Sequence, residues 1–428
     1  MRTINWVFLM PLFFLARYGA AEPSEDLSQM PACATDCFHV AVSMSSCFVS
    51  DLECLCSDSD LQQMLDSCVA ITCTVEESLV AKNISMTACE IPPRDVTGGY
   101  IALSNVLFAI AGALVIQRFA ARLYLKAGLG LDDFFILLAL FSWIPIMAMN
   151  NTRVSENGLG RDIWTLTPGQ ISQVLRDFFF SAVCYFVATP FLKLSILLFY
   201  RRVFPAPGMR KIIWSTVIFV AVVGVAFLFA IVFQCYPTSY FWTRWAGEHK
   251  GQCSNVDVIG VANAVINVVT SVWMLAIPSL QLHRLDLDLW RKLEVGAMFL
   301  VGIFSTVFSI LRLTSIIKVE HSTNPSWDYV QLQENSVIEV ATGIICACLP
   351  STRLLLARFF PKIFPPWEEN SVSEAEEMEK FTHRMSPRSR KQFDNVFTEI
   401  SLDGEDDQAR LVWIDSETRD ALARLSKL

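Results

Sequence analysis

The stretch Cys33-Ala-Thr-Asp-Cys37 opens a block that runs through Cys47-Phe-Val-Ser-Asp51-Leu-Glu-Cys54-Leu-Cys56 and Cys68-Val-Ala-Ile-Thr-Cys73 to Cys89. Eight cysteines fall within 57 residues. An even count this dense reads as a disulfide framework, which persists only in an oxidising compartment. A block this small cannot rely on an apolar core alone, so the bridges supply much of its stability. Zinc would need paired Cys-x-x-Cys or His spacings, whereas the one close pair is Cys54-Leu-Cys56 and the nearby histidine is His39.

The rest of the chain is of another kind. Of 428 residues, 53% are hydrophobic, and the mean hydropathy of +0.42 points to several membrane spans. A formal net charge of −8 argues against nucleic acid as the main partner. There is no P-loop, dinucleotide fingerprint or His-Glu-x-x-His motif, and no constellation of nucleophile, base and orienter, so no enzyme is expected.

In chain order, residues 1–21 read as a signal peptide, with Arg2 before the apolar Trp6–Ala16 and small residues at Gly19-Ala20-Ala21. Residues 22–96 form the cysteine-rich domain, where Asn83-Ile-Ser85 is a glycosylation sequon. Asn150-Asn-Thr152 is a second sequon, too near the membrane for ready glycosylation. Seven apolar runs fill residues 97–360: Gly98–Gln117, Asp133–Met149, Phe178–Tyr200, Ile212–Gln234, Val258–Gln281, Val295–Ile317 and Ser336–Phe359. Each is near the ~20 residues that a spanning helix needs, and none alternates as a barrel strand would. In the seventh, only 13 residues separate Glu339 from Arg353.

Residues 361–428 read as a cytoplasmic tail, disordered for much of its length. It holds a basic, serine-bearing patch, Arg384–Lys391, suited to phosphorylation or anionic lipid, and a terminal amphipathic pattern from Leu411 to Leu428.

Seven spans put the two ends on opposite sides. Segments on one side carry thirteen Lys and Arg, and the three opposite loops carry six. The richer side is expected to be cytoplasmic, which leaves the cysteine block outside the cell. This agrees with the disulfide argument, which is independent of it.

The spacing Cys-x3-Cys-x9-Cys-x6-Cys-x-Cys-x11-Cys-x4-Cys-x15-Cys, opened by Pro31-Ala-Cys33-Ala, resembles the fungal CFEM domain. Spacing alone leaves about a hundred connectivities open. The resemblance implies a helical basket bridged Cys33–Cys73, Cys37–Cys68, Cys47–Cys54 and Cys56–Cys89. It also implies that Asp51, three residues before the Cys54-Leu-Cys56 pair, could ligate haem iron. Phe38, Phe48, Leu52 and Leu55 would supply apolar surface for the porphyrin. The bland alternative is that Asp51 ends a turn.

The membrane region resembles the fungal rhodopsin-like receptors that follow CFEM domains in the surface sensing of plant-pathogenic fungi. The matching pieces include Leu129-Gly-Leu-Asp132-Asp133, Gly158-Leu-Gly160-Arg161, Leu192-Lys193 through Arg201, Cys235-Tyr-Pro237, Arg312-Leu313, Glu339 and Ile344 to Pro350. The resemblance implies a receptor of the G-protein-coupled type. Two departures limit the analogy with rhodopsins proper. The seventh span has no lysine for a retinal Schiff base, and Tyr200-Arg201-Arg202 lacks an acidic partner.

Polar residues inside the spans are the remaining candidates, because intramembrane charges need partners or water. Lys193 is expected to meet Asp132 and Asp133 or to snorkel to the interface. Arg312 and Glu339 fall at one depth on adjacent spans and are expected to pair. Cys235 and Cys253 flank one loop and are expected to be bridged.

The sequence therefore describes an all-α protein: a small disulfide-rich extracellular helical basket followed by a seven-helix transmembrane bundle. Its expected role is a plasma-membrane receptor with its N-terminus outside and its C-terminus in the cytoplasm. An unknown extracellular ligand and a cytoplasmic G protein would be its partners. The alternatives are a haem or iron acquisition protein anchored by the bundle, and a membrane-anchored virulence effector.

Overall fold

The structure is a computed structural model that describes residues 29–359, apart from 127, 204–206, 248–249, 283–288 and 321. The expected signal peptide, basic patch and terminal amphipathic helix lie outside the described residues. The chain divides into two compact units between Pro93 and Arg94.

Among the described residues the first unit contains four helices: α1 (Ala32–Met44), α2 (Leu52–Ser57), α3 (Ser59–Thr72) and α4 (Val75–Ala88). Local chemistry sets their starts. Asp58 caps α3 by accepting from the backbone N–H groups of Asp60 and Leu61. Thr74 and Glu77 form a capping box on α4, with Thr74 N–H donating to Glu77 Oε2 at 2.9 Å. Hydrogen bonds from Thr74 hold the Glu77 carboxyl below its usual range. Leu61, Leu65 and Val69 lie along one face of α3 and pack with Ala34, Cys37 and Ala41 of α1. Four disulfides, Cys33–Cys73, Cys37–Cys68, Cys47–Cys54 and Cys56–Cys89, tie these helices together.

Among the described residues the second unit contains seven helices long and apolar enough to cross a membrane: α5 (Thr97–Tyr124), α6 (Leu131–Met149), α8 (Pro168–Val203), α9 (Pro207–Val232), α11 (Val256–Leu282), α12 (Leu289–Glu320) and α13 (Pro325–Phe359). A π-helical turn, Asn150–Val154, prolongs α6 and leads into the short α7 (Ser155–Asn157). Between α9 and α11, β1 (Cys235–Tyr236) pairs antiparallel with β2 (Gln252–Cys253) around the turn α10 (Tyr240–Thr243). Successive spans alternate in direction, so one end of the bundle gathers the start of α5 (the Thr97 end). The other gathers its finish (the Tyr124 end).

Two spans are longer than their apolar runs. Helix α8 begins at Pro168, ten residues before Phe178, and its 36 residues make about 54 Å of helix, well beyond a bilayer core. The polar turns from Gln170 to Asp177 carry it past the Thr97 end. Helix α13 begins at Pro325, where proline suits a first helical turn. It is also the central helix. In its most apolar 18-residue window 78% of residues are buried, against 17% to 50% in the other six spans. A helix that faces protein rather than lipid can carry polar side chains, which is why α13 has the weakest hydropathy of the seven.

Packing is close where small residues allow it. A Cβ at Gly224 of α9 would stand 2.7 Å from Pro190 Cγ of α8, and one at Gly343 of α13 would stand 2.2 Å from Leu192 Cδ2. The rigid Pro190 ring leaves no room for a side chain at position 224, whereas at position 343 the Leu192 tip would have to move aside.

Candidate functional site

In the first unit, Asp51 is the N-cap of α2, and its Oδ1 accepts the Cys54 N–H at 3.1 Å. Among the described residues no other hydrogen bond or ion pair engages this exposed carboxylate, which leaves Oδ2 open. Met44, Phe48, Val49 and Leu52 are exposed apolar residues in the neighbouring sequence, at 69%, 77%, 58% and 47%. Leu55 is buried and belongs to the core, and Phe38 is half-buried against that core. A carboxylate with one open oxygen among exposed apolar side chains fits a haem iron ligand, with Phe48 and Leu52 as the accessible porphyrin contacts. The Cys33 and Cys73 sulfurs lie near the Glu77 carboxylate, but their bond to each other leaves no thiolate for a metal. Asn83 is exposed on α4.

At the Thr97 end, Asp162 is 1% exposed and organises a clamp. Arg94 donates to it through its backbone N–H at 2.8 Å and through Nη2 at 2.6 Å, and Asn324 Nδ2 donates at 2.7 Å. The Arg94 guanidinium also lies 4.3 Å from the Trp327 ring centroid. Burial pushes the Asp162 carboxyl up, but the bonds from Arg94 and Asn324 outweigh it and hold it below the usual carboxylate range. Asp95 pairs with Arg161 at 3.1 Å. Residues 94–96 thus pack with the bundle. Gly158 and Gly160 take positive φ in this loop, and Gly160 passes so close to Thr97 that a Cβ would meet its backbone nitrogen at 3.1 Å. The Cys235–Cys253 bridge spans the two short strands nearby in sequence, and Phe179, Phe241 and Trp242 pack against it. Asn150 is 2% exposed and donates to the Tyr100 hydroxyl at 2.9 Å, so that sequon is closed to glycosylation.

A cleft opens between α6, α8 and α13 at the same end. Its enclosed space is about 10 Å³, room for about one water. Leu159, Val174 and Phe178 give it apolar walls, and Asp177, Ser181 and Gln333 give it polar groups. Asp177 accepts from Asn157 Nδ2 at 2.9 Å and faces Arg153 Nη1 at 3.4 Å.

Deeper in the bundle lies a polar cluster, and it corrects two expectations. Arg312 and Glu339 do not pair directly. Glu339 Oε2 accepts from the Tyr185 hydroxyl at 2.8 Å, and Oε1 accepts from Asn267 Nδ2 and from Ser309 Oγ. Arg312 instead donates through Nε to Ser336 Oγ at 3.0 Å and stacks over the Tyr185 ring at 3.8 Å. Tyr185 stands between the two charges, because three neutral donors from α8, α11 and α12 already satisfy the carboxylate. Lys193 does not meet Asp132 or Asp133 either. Its ammonium donates to the Asn267 carbonyl at 2.8 Å and to Thr270 Oγ1 on α11.

The two aspartates are occupied at the Tyr124 end. Arg118 of α5 bridges Asp132 and also reaches Asp133 at 2.7 Å, while Arg122 reaches Asp132 at 2.6 Å and Asp133 at 3.0 Å. Arg118 also donates to the Ala347 carbonyl of α13, and Ser195 Oγ of α8 donates to the Asp132 carbonyl at 2.7 Å. All four charged residues are buried. Within this network two arginines balance two aspartates, which is how buried charges are tolerated. In the sequence Arg118 and Arg122 stand among the thirteen Lys and Arg of the richer side, as charges flanking the first span. The signal for their role was present in the sequence: two arginines one helical turn apart precede adjacent aspartates across a short turn.

Comparison with known proteins agrees with this architecture. The CFEM domain model matches residues 26–90, and the fungal rhodopsin domain model matches residues 117–358. An SAT4 family membrane protein of Emericella nidulans is 28% identical over 227 residues, covering 51% of this chain and 56% of that protein. Little more than half the length of that relative is therefore matched. Satratoxin biosynthesis SC1 cluster protein 4 of Stachybotrys chartarum is 26% identical over 255 residues, covering 55% of this chain and 89% of that protein. Polyenoic acids biosynthesis gene cluster protein Ba17b of Metarhizium anisopliae is 26% identical over 271 residues, covering 60% and 73%. No solved structure matches the chain. With more than half of its residues matched by the fungal rhodopsin domain, and a CFEM domain ahead of it, the chain belongs to the fungal rhodopsin domain family of multi-pass membrane proteins.

Proposed function

We propose that this protein is a plasma-membrane receptor of the G-protein-coupled type, with its CFEM module and the Thr97 end outside the cell and the Tyr124 end in the cytoplasm. The observation that carries the reading is the buried network of Arg118, Arg122, Asp132 and Asp133. It joins α5 and α6, and through Ala347 and Ser195 it reaches α13 and α8. The charges lie on α5 and α6 and are tied through neutral groups to α13 and α8, and separating these helices would expose the network to water and solvate it, as a two-state element requires. The fivefold bridged ectodomain and loop, and the excess of Lys and Arg at the Tyr124 end, support the orientation.

The test is signalling from variants that unlock the Tyr124 end. Asp132→Asn in the full chain, expressed in cells with a cAMP readout, should change basal cAMP at equal surface level. Wild-type cAMP in a surface-expressed Asp132→Asn protein and in a second variant, Arg122→Gln, would contradict the receptor reading.

A second reading is favoured by one observation, the open Asp51 oxygen beside exposed Phe48 and Leu52. It is that the CFEM module binds ferric haem, which would supply iron chemistry or serve as the sensed ligand. A carboxylate is a hard oxygen ligand suited to ferric iron. Haem titration of the full chain in detergent should give a Soret shift that Asp51→Asn removes while keeping the helix cap. An identical shift in that variant would overturn the assignment.

A further inference from the structure

Helix α9 is the span that faces lipid most. Only 17% of its most apolar window is buried, and that window has a mean hydropathy of 2.8, the lowest burial and the highest hydropathy of the seven. Ile213, Thr216 and Val220 form its buried face. Trp214, Ile218 and Val222 follow one another at four-residue spacing on the exposed face. An apolar stripe therefore runs from Trp214 toward the middle of the membrane.

At the Tyr124 end this stripe meets concentrated positive charge. Arg210 and Lys211 are exposed and stand four and three residues before Trp214, so they share its face of α9. Arg201, near the end of α8, places its guanidinium 5.4 Å from the Trp214 ring centroid. Stacking uses the flat face of a guanidinium and leaves its in-plane N–H donors free to reach an anion. No acidic residue stands in the sequence between Asp177 and Glu248, and among the described residues Arg201, Arg210 and Lys211 have no ion-pair partner. Arg210 and Lys211 also lie near the start of α9, where the helix dipole repels cations and favours an anion. An indole at this depth sits at the headgroup level of a bilayer. A positive rim above an exposed apolar stripe complements an anionic phospholipid, with its charge at the interface and its hydrocarbon below. A water-soluble anion would leave the stripe unused.

We propose that Arg201, Arg210, Lys211 and Trp214 form a binding site for the headgroup of an anionic glycerophospholipid, with an acyl chain lying along Ile218 and Val222. That this leaflet is the cytoplasmic, anionic one rests on the orientation in the receptor reading, whereas binding is measured without sidedness.

The test uses the full chain in detergent micelles. Dioleoyl phosphatidylserine and dioleoyl phosphatidylcholine are titrated separately, and bound lipids are counted by native mass spectrometry. Phosphatidylserine should fill one site at a concentration lower by about tenfold or more, and added salt should narrow the difference. Arg210→Gln with Lys211→Gln should weaken phosphatidylserine binding by about tenfold or more and leave phosphatidylcholine binding unchanged. Lys126→Gln with Arg358→Gln removes the same charge from exposed positions at the same end and should lose much less. Soluble glycerophosphoserine, which lacks acyl chains, should not displace the bound lipid. Equal binding of the two lipids, an undiminished preference in the Arg210→Gln, Lys211→Gln protein, or an equal loss in the control pair overturns the site. Displacement by glycerophosphoserine overturns the lipid assignment. A lowered thermal midpoint of the Arg210→Gln, Lys211→Gln protein in phosphatidylcholine would mark these bases as structural and also overturn it. Selective binding by a chain whose Tyr124 end proves to lie outside the cell would support the site and count against the receptor reading.

Discussion

The Tyr185 hydroxyl donates to the Glu339 carboxylate at 2.8 Å, and this one bond joins α8 to α13 in the middle of the bundle. The same phenol oxygen accepts from Asn267 Nδ2 at 3.1 Å, which brings in α11. Arg312 of α12 lies over the ring. One tyrosine of α8 therefore touches α11, α12 and α13.

Tyr185→Phe keeps the ring under Arg312 and removes the hydroxyl. A hydrogen bond to a charged acceptor is worth about 1.5–3 kcal/mol in soluble proteins, and interhelical bonds in membranes average nearer 0.6 kcal/mol. The thermal midpoint in nanodiscs should fall modestly. Tyr185→Leu, which removes the aromatic face as well, should fall further. Equal midpoints for the two variants would mean that the ring contributes nothing beyond the hydroxyl.

The Tyr124 end permits a charge-balance experiment. Arg118→Met alone leaves Asp132 and Asp133 with a single arginine, and breaking a buried pair from one side costs about 3–5 kcal/mol. Arg118→Met with Asp132→Asn restores balance and should recover part of the loss in surface expression and midpoint. A double variant no better than Arg118→Met would show that the two residues act independently.

The Asp162 clamp should be sensitive to acid. Its carboxyl is held below the usual range, so its stabilisation is full above the unfolded pKa of about 4 and is lost as pH falls through the lower folded-state value. The difference in midpoint between wild type and Asp162→Asn should be constant from neutral pH down to about pH 4 and shrink below it. A difference that instead grew on acidification would reverse the sign of the coupling.

Cys235 and Cys253 close a loop with a sequence separation of 18. On chain-entropy grounds a bridge of this size contributes about 3 kcal/mol. Replacing both cysteines with serine should lower the midpoint and surface level, and reductant should then have a smaller effect on the variant than on wild type. Loss of the Phe179 and Trp242 packing around the bridge would show as changed tryptophan emission.

How far the sequence reveals this arrangement depends on what kind of signal each residue leaves. The eight cysteines between Cys33 and Cys89 announce a bridged block by density alone, and the apolar runs announce seven spans. The limits of α8 and α13 are less visible, since Gln170 to Asp177 and Pro325 to Asn335 are too polar to read as spans and yet continue the helices. The partners of Lys193 leave almost no trace. One is a backbone carbonyl, which every residue has, and the other is Thr270, one hydroxyl among many. Depth along a span does place Arg312 and Glu339 in one cluster. It cannot show that Tyr185 and Ser309 from other helices satisfy the acid first. Pairing two opposite charges is the simplest guess, and neutral donors from third and fourth helices defeat it.

Orientation across the membrane underlies the receptor reading, and it can be measured directly. An epitope tag is placed after Leu428 and a second within the loop that holds Lys250, in the full chain expressed in intact cells. Impermeant protease should remove the Lys250-loop tag and leave the C-terminal tag until the cells are permeabilised. A C-terminal tag cleaved in intact cells, with the Lys250-loop tag protected, would contradict the seven-span arrangement with the CFEM module outside.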